Sequence, residues 1–76
     1  MIDVTIMTPK TVLFEDEVES AVFPGDKGDF EVLQFHKSLL SRLRPGQICL
    51  NDDEFIDVTA GVVRVYRDQV IALVEQ

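Results

Sequence analysis

Apolar residues recur at every second position through most of this chain, and that period excludes most folds before composition is consulted. Ile2, Val4 and Ile6 alternate with Asp3, Thr5 and Met7, and residues 62–66 alternate through Val63, Arg64 and Val65. Successive side chains on a strand point to opposite faces, so a period of two marks a strand with one face buried. Turn signals interrupt at short intervals: Thr8-Pro9, Pro24-Gly25, Pro45-Gly46, the polar run 51–54 and Arg67-Asp68. No sustained helical period, internal repeat or low-complexity tract is present. The pattern predicts seven or more short strands in an all-β fold: a small sandwich or flattened barrel of mainly antiparallel strands, with residues 1–76 as one domain.

The segment 24–46 differs from its flanks. Two Pro-Gly pairs bracket it, and each pair favours a tight reversal because Pro fixes φ and Gly tolerates positive φ. It holds the single histidine, His36, and the basic residues Lys37, Arg42 and Arg44. Within it, residues 29–33 read as a short strand. Residues 36–44 stay open: Leu39, Leu40 and Leu43 have helical spacing, yet the run also suits an irregular strand. Before the segment, the acids Glu15, Asp16, Glu17 and Glu19 interrupt an apolar run that resumes over 18–23; they read as a solvated edge or bend that discourages aggregation. After it come strands at 47–50, 55–60 and 62–66, then a near-continuous apolar strand at 69–74.

Composition narrows the function. Seventy-six residues leave no room for a second core, and 46% hydrophobic content supports one. Fourteen acids against seven bases give a net charge of −7, which argues against nucleic acid and acidic membrane surfaces and for a basic protein partner. The single cysteine, Cys49, forms no internal disulfide and reads as a buried, inert thiol in a strand. No apolar run approaches the roughly 20 residues that span a bilayer. One histidine without a nucleophile elbow, a pair of ligand histidines or a Gly-rich phosphate loop argues against catalysis, and no metal or cofactor is expected.

The order of motifs carries a resemblance. Ile6-Met7-Thr8-Pro9, Val12-Leu13-Phe14, Glu17-Val18-Glu19-Ser20, Pro24-Gly25 with Gly28, His36 with Leu39-Leu40, and Leu43-Arg44-Pro45-Gly46 follow one another, then Ala60-Gly61 and the closing Val70-Ile71-Ala72-Leu73-Val74-Glu75. This series resembles the epsilon subunit of F-type ATP synthases, in its N-terminal β-sandwich domain. Three places depart from the family pattern. Gln34-Phe35 stands where the family has Pro-Gly before the histidine, Lys37-Ser38 where it has Ala-Pro, and Ala60-Gly61-Val62 where it has a Gly-Gly-Phe type of turn. Members commonly continue into a C-terminal helical hairpin that binds ATP or inhibits hydrolysis; nothing in this sequence corresponds to it, so neither activity is expected of these residues.

The resemblance implies a non-catalytic rotor subunit of the central stalk that couples a proton- or sodium-driven c-ring to the gamma shaft, and so to ATP synthesis. Its implied partners are the gamma subunit, the polar loops of the c-ring and the beta subunit, at the cytoplasmic face of a bacterial inner membrane. The turn residues Asp26, Lys27, Gly28 and Asp29 align with the loop that meets the c-ring, Asp29 at the acidic contact position, and His36 aligns with a histidine beside that surface. A packed, hydrogen-bonded loop histidine is the plainer reading of His36; Arg42 and Arg44 read equally as solvated turn positions and as contacts to acids on a partner. The resemblance does not identify the residues that face gamma, though that face is expected to be partly apolar. Without the resemblance, composition supports only a freestanding acidic interaction module.

Overall fold

The computed structural model describes residues 1–76, and every regular element in it is a strand. The first four are β1 (Ile2–Met7), β2 (Val12–Val18), β3 (Ala21–Gly25) and β4 (Gly28–Val32). Then follow β5 (Leu39–Leu43), β6 (Gly46–Leu50), β7 (Glu54–Val58), β8 (Ala60–Tyr66) and β9 (Gln69–Glu75). They form one curled, half-barrel sheet in the order β2-β1-β9-β8-β5-β3-β6-β7, with β4 along the other edge of β3. The first and last strands, β1 and β9, pair in parallel, and every other pairing is antiparallel. The all-β expectation holds.

The curl folds one apolar face onto itself. Sixteen hydrophobic residues form the buried cluster, including Ile2, Val4 and Ile6 of β1, Phe23 of β3, Ile48 and Leu50 of β6, and Val70, Ala72 and Val74 of β9. Their spacing is the period of two read in the sequence, and no polar or charged side chain joins them. The sheet turns its corner where β5 meets β3 through the single pair Gly25–Leu43. A Cβ at Gly25 would lie 2.6 Å from the Gly28 carbonyl oxygen and 2.9 Å from the Phe30 ring, so only glycine permits this approach.

Successive strands run in opposite directions, which sorts the connections into two ends. One end carries the turns 8–11, 26–27 and 44–45 and the end of β9. The other carries Met1, the corner at Glu19-Ser20, the loop 33–38 and the turns 51–53 and 67–68. At this second end Asn51 and Asp52 adopt positive φ, which short polar side chains tolerate. The Asn51 Oδ1 accepts the Glu19 backbone N–H at 2.8 Å, so one turn residue also holds the β2–β3 corner.

Several local expectations are corrected. Pro24 and Gly25 are the last residues of β3, and the reversal falls on Asp26-Lys27, since the pair Gly25–Gly28 closes a two-residue hairpin. β2 runs straight through Glu15-Asp16-Glu17, because an edge strand leaves these side chains in water; the break comes at Glu19-Ser20 instead. The run 55–60 is likewise divided at Thr59, between β7 and β8. Residues 39–43 are a strand, since the ladder to β8 supplies hydrogen bonds that one helical turn lacks. Cys49 is half-buried and lies between Ile48 and Leu50, which point inward, so its thiol belongs to the outer face, beside Val22 and Phe55. β9 is not buried throughout: Ile71 and Leu73 face outward, 48% and 49% exposed.

Candidate functional site

The β3–β4 hairpin projects the aligned residues Asp26, Lys27, Gly28 and Asp29 from the end of the sheet. Gly28 has a φ of 130°, a conformation that a side chain would strain, and this lets the chain reverse in two residues. Behind the turn, the rings of Phe23 and Phe30 stack with centroids 5.6 Å apart at 26°, anchoring both strands to the core. The turn itself is fully exposed.

Arg44, from the β5–β6 corner, braces this hairpin on both strands. Its Nη1 donates to the Gly25 carbonyl at 2.9 Å and its Nη2 to Asp29 Oδ1 at 2.7 Å. The backbones interlock as well: the Arg44 N–H donates to the Pro24 carbonyl and the Asp26 N–H to the Arg42 carbonyl, each at 2.9 Å. The pair Arg44–Asp29 is half-exposed, with side chains 43% and 63% accessible, so its net contribution to stability is about 1 kcal/mol or less. Its effect is positional. One carboxylate oxygen of Asp29 is held, while Oδ2 accepts no hydrogen bond within the chain and the side chain is 63% accessible. A shallow groove beside the pair is lined by Val22, Pro24, Gln47, Cys49 and Phe55.

His36 lies elsewhere. It sits in the loop 33–38, beyond the far end of β4 from Asp29, so about 10 Å of strand lies between the two. The ring is half-buried, and its Nδ1 lies 2.7 Å from the Lys37 carbonyl oxygen; a carbonyl only accepts, so Nδ1 carries the proton and Nε2 is free. The loop is tied to the β8–β9 turn by Phe35, whose N–H donates to Asp68 Oδ1 at 3.2 Å. The hairpin thus brings Asp26, Lys27, Gly28 and Asp29 together and leaves His36 apart from them.

The sequence reading left Arg44 open between a solvated turn position and a contact with partner acids, and neither reading included its bracing role. Fifteen positions separate it from Asp29, and no local pattern signals such a contact. Arg42, in contrast, is exposed and pairs with no carboxylate. No group of three or more His, Cys, Asp or Glu side chains is placed to hold a metal ion.

Comparison with known proteins agrees with this architecture. An epsilon chain of ATP synthase from a Nitratiruptor species is 46% identical over 74 residues, covering 92% of this chain and 57% of that one. The epsilon chain from a Hydrogenobaculum species is 36% identical over 78 residues, covering 100% of this chain and 57% of its own length. The present chain therefore spans less than two thirds of these curated relatives. The fold recurs at a TM-score of 0.84 and 16% identity in a chain of the Tetrahymena thermophila mitochondrial ATP synthase central stalk and c-ring, over 99% of this chain and 63% of that one. The family model for the delta/epsilon chain of ATP synthase, β-sandwich domain, matches residues 1–76, and the chain belongs to that family.

Proposed function

We propose that this chain is a non-catalytic rotor piece of an F-type ATP synthase. It rests on the polar loops of the c-ring, packs against the gamma subunit, and so passes ring rotation to the shaft that drives ATP synthesis; the beta subunit is a further partner. The assembly sits at the cytoplasmic face of a bacterial inner membrane, which the chain meets only through its partners. Residues 1–76 serve as one epsilon-type domain.

The observation that carries this reading is the braced hairpin. A mechanical contact needs a charged tip that does not give way under load, and the Gly25–Gly28 closure, the Phe23–Phe30 stack and the Arg44 clamp supply one. A held carboxylate with one free oxygen suits a charge-assisted hydrogen bond to an arginine or amide on the ring loops.

Asp29→Lys tests the contact. Retention of the chain on purified c-rings is expected to fall by about tenfold or more, equivalent to about 1.4 kcal/mol. The fold survives, because the exposed Arg44–Asp29 pair that is lost contributes only about 1 kcal/mol or less. Unchanged retention with an unchanged melting curve would refute the proposal. A contact that includes both Asp29 and His36 runs the length of β4, so His36→Ala, measured beside it, separates a tip contact from an extended one; the larger loss is expected for Asp29→Lys.

A further inference from the structure

Register sets Val22, Cys49 and Phe55 side by side across β3, β6 and β7, on the outward face of that half of the sheet. Val22 and Cys49 are half-buried, while Phe55 is 57% exposed. The three belong to the shallow groove that runs back to Arg44. Asp57, two residues along β7, shares the outward face with Phe55. Its Oδ1 accepts Gln47 Nε2 at 2.9 Å, and Oδ2 accepts no hydrogen bond within the chain. No cation of the chain lies over the Phe55 ring, since the two arginines that stack on an aromatic side chain both use Tyr66.

Charge is segregated in this part of the molecule. The strands β3, β4, β6 and β7 with the turn 51–53 carry the acids Asp29, Glu31, Asp52, Asp53, Glu54 and Asp57 and no base. Arg44 is the one base that borders the groove, and its guanidinium is already held by the Gly25 carbonyl and Asp29. An exposed ring, a half-buried apolar floor and a free carboxylate oxygen therefore lie together with no cation of the chain to meet them.

We infer that this groove receives an arginine from a basic segment of a partner protein, its guanidinium stacked on Phe55 and hydrogen-bonded to Asp57 Oδ2, its stem along Val22 and Cys49. A guanidinium is planar and weakly hydrated, so it meets an aromatic face and a carboxylate at once, and its methylenes cover apolar surface. Side chains two apart on one strand stand about 7 Å from each other, within the reach of one such group. The segment lies on the face and does not extend the sheet, because Gln76 Nε2 donates to the Asp57 carbonyl at 3.0 Å and so occupies the outer edge of β7. The acids of the turn 51–53 draw in further bases of the same segment. A second copy of this chain does not fit, since its matching surface brings the same acids to the groove. Asp29 lies on β4, three strand spacings or about 14 Å along the sheet from β7, so the inference does not rest on the proposed c-ring contact.

A short arginine-rich peptide, with matched lysine and glutamate peptides, provides the probe. Amide chemical shifts of the 76-residue chain are followed during titration at about 0.15 M salt, where exposed charges more than about 8 Å apart are screened. The arginine peptide is expected to perturb residues 22, 47, 49, 55 and 57 and to bind more tightly than the lysine peptide, and the glutamate peptide is expected not to bind. Phe55→Leu, which keeps an apolar side chain but removes the ring, and Asp57→Asn are each expected to weaken binding of the arginine peptide about threefold or more. Glu17→Gln, the same loss of charge on β2, is expected to leave it unchanged. All three side chains are exposed, so the variants melt as the native chain does. Shifts spread over the acids of β1 and β2, native affinity in Phe55→Leu or Asp57→Asn, or preference for the lysine peptide would overturn the inference. So would shifts at the same residues when the chain alone is concentrated, which would assign the groove to a second copy.

Discussion

Phe35 shows what a single residue can be made to do by its surroundings. Its φ is 67° and it is 85% exposed, so the chain holds a bulky side chain in the left-handed region with nothing packed on it. The backbone shape at this position suits glycine, while the chain carries phenylalanine there. The strain of a non-glycine residue in that region is about 1–2 kcal/mol, whereas glycine adds about 0.5–1 kcal/mol of unfolded-state entropy. The difference favours glycine, so Phe35→Gly is expected to raise stability by about 0.5–1 kcal/mol, a few degrees in the melting curve, while Phe35→Ala, which keeps the strain, leaves it unchanged. A lower melting temperature for Phe35→Gly would mean that the ring packs in solution. The hairpin is similarly a matter of single residues: motif order drew attention to its two glycines and Asp29, but not to Arg44, whose contact joins distant positions.

At the scale of elements, β2 is the informative one. It pairs only with β1, so its outer edge presents unpaired backbone groups. Register sets Asp16 opposite Val4, a core residue, and so points a carboxylate toward the core side of an edge strand. Such a charge blocks a second strand from adding there. The acidic run was read in sequence as a solvated edge or a bend, and it lies on an edge; its place inside one continuous strand was not legible, because three successive acids hide the period. Asp16→Val is expected to leave the monomer as stable or up to about 1 kcal/mol more stable, and to lower the concentration at which light scattering detects aggregates. A variant that stays monomeric at every concentration where the native chain does would count against a guarding role. β5 makes the converse point. Leu39, Leu40 and Leu43 fit a helix as well as a strand, and the β8 ladder decides between them.

For the whole molecule, sixteen buried apolar residues form one cluster, and Phe23, fully buried, is the largest side chain in it. Marginal stability of about 0.05–0.15 kcal/mol per residue gives a chain of this length roughly 4–11 kcal/mol. Phe23→Ala removes a ring and leaves a cavity at a cost of about 3–5 kcal/mol, a large share of that total. Urea unfolding followed by far-ultraviolet circular dichroism is expected to show the midpoint falling to low denaturant or the fold lost; a change below about 1 kcal/mol would mean that the core repacks freely. The sequence by itself determined the all-β class, the buried face of the regularly alternating strands such as β1 and β8, and the family, because alternation and turn chemistry are local and survive in the order of residues. Only the tertiary structure decided which strands are neighbours: the parallel pairing of β1 with β9, the corner at Gly25–Leu43, and the clamp from Arg44 to Asp29. The reason is physical. A period of two specifies the face of a strand but leaves its hydrogen-bonding edges equivalent, so partners are chosen only when all the buried faces are closed together in one core.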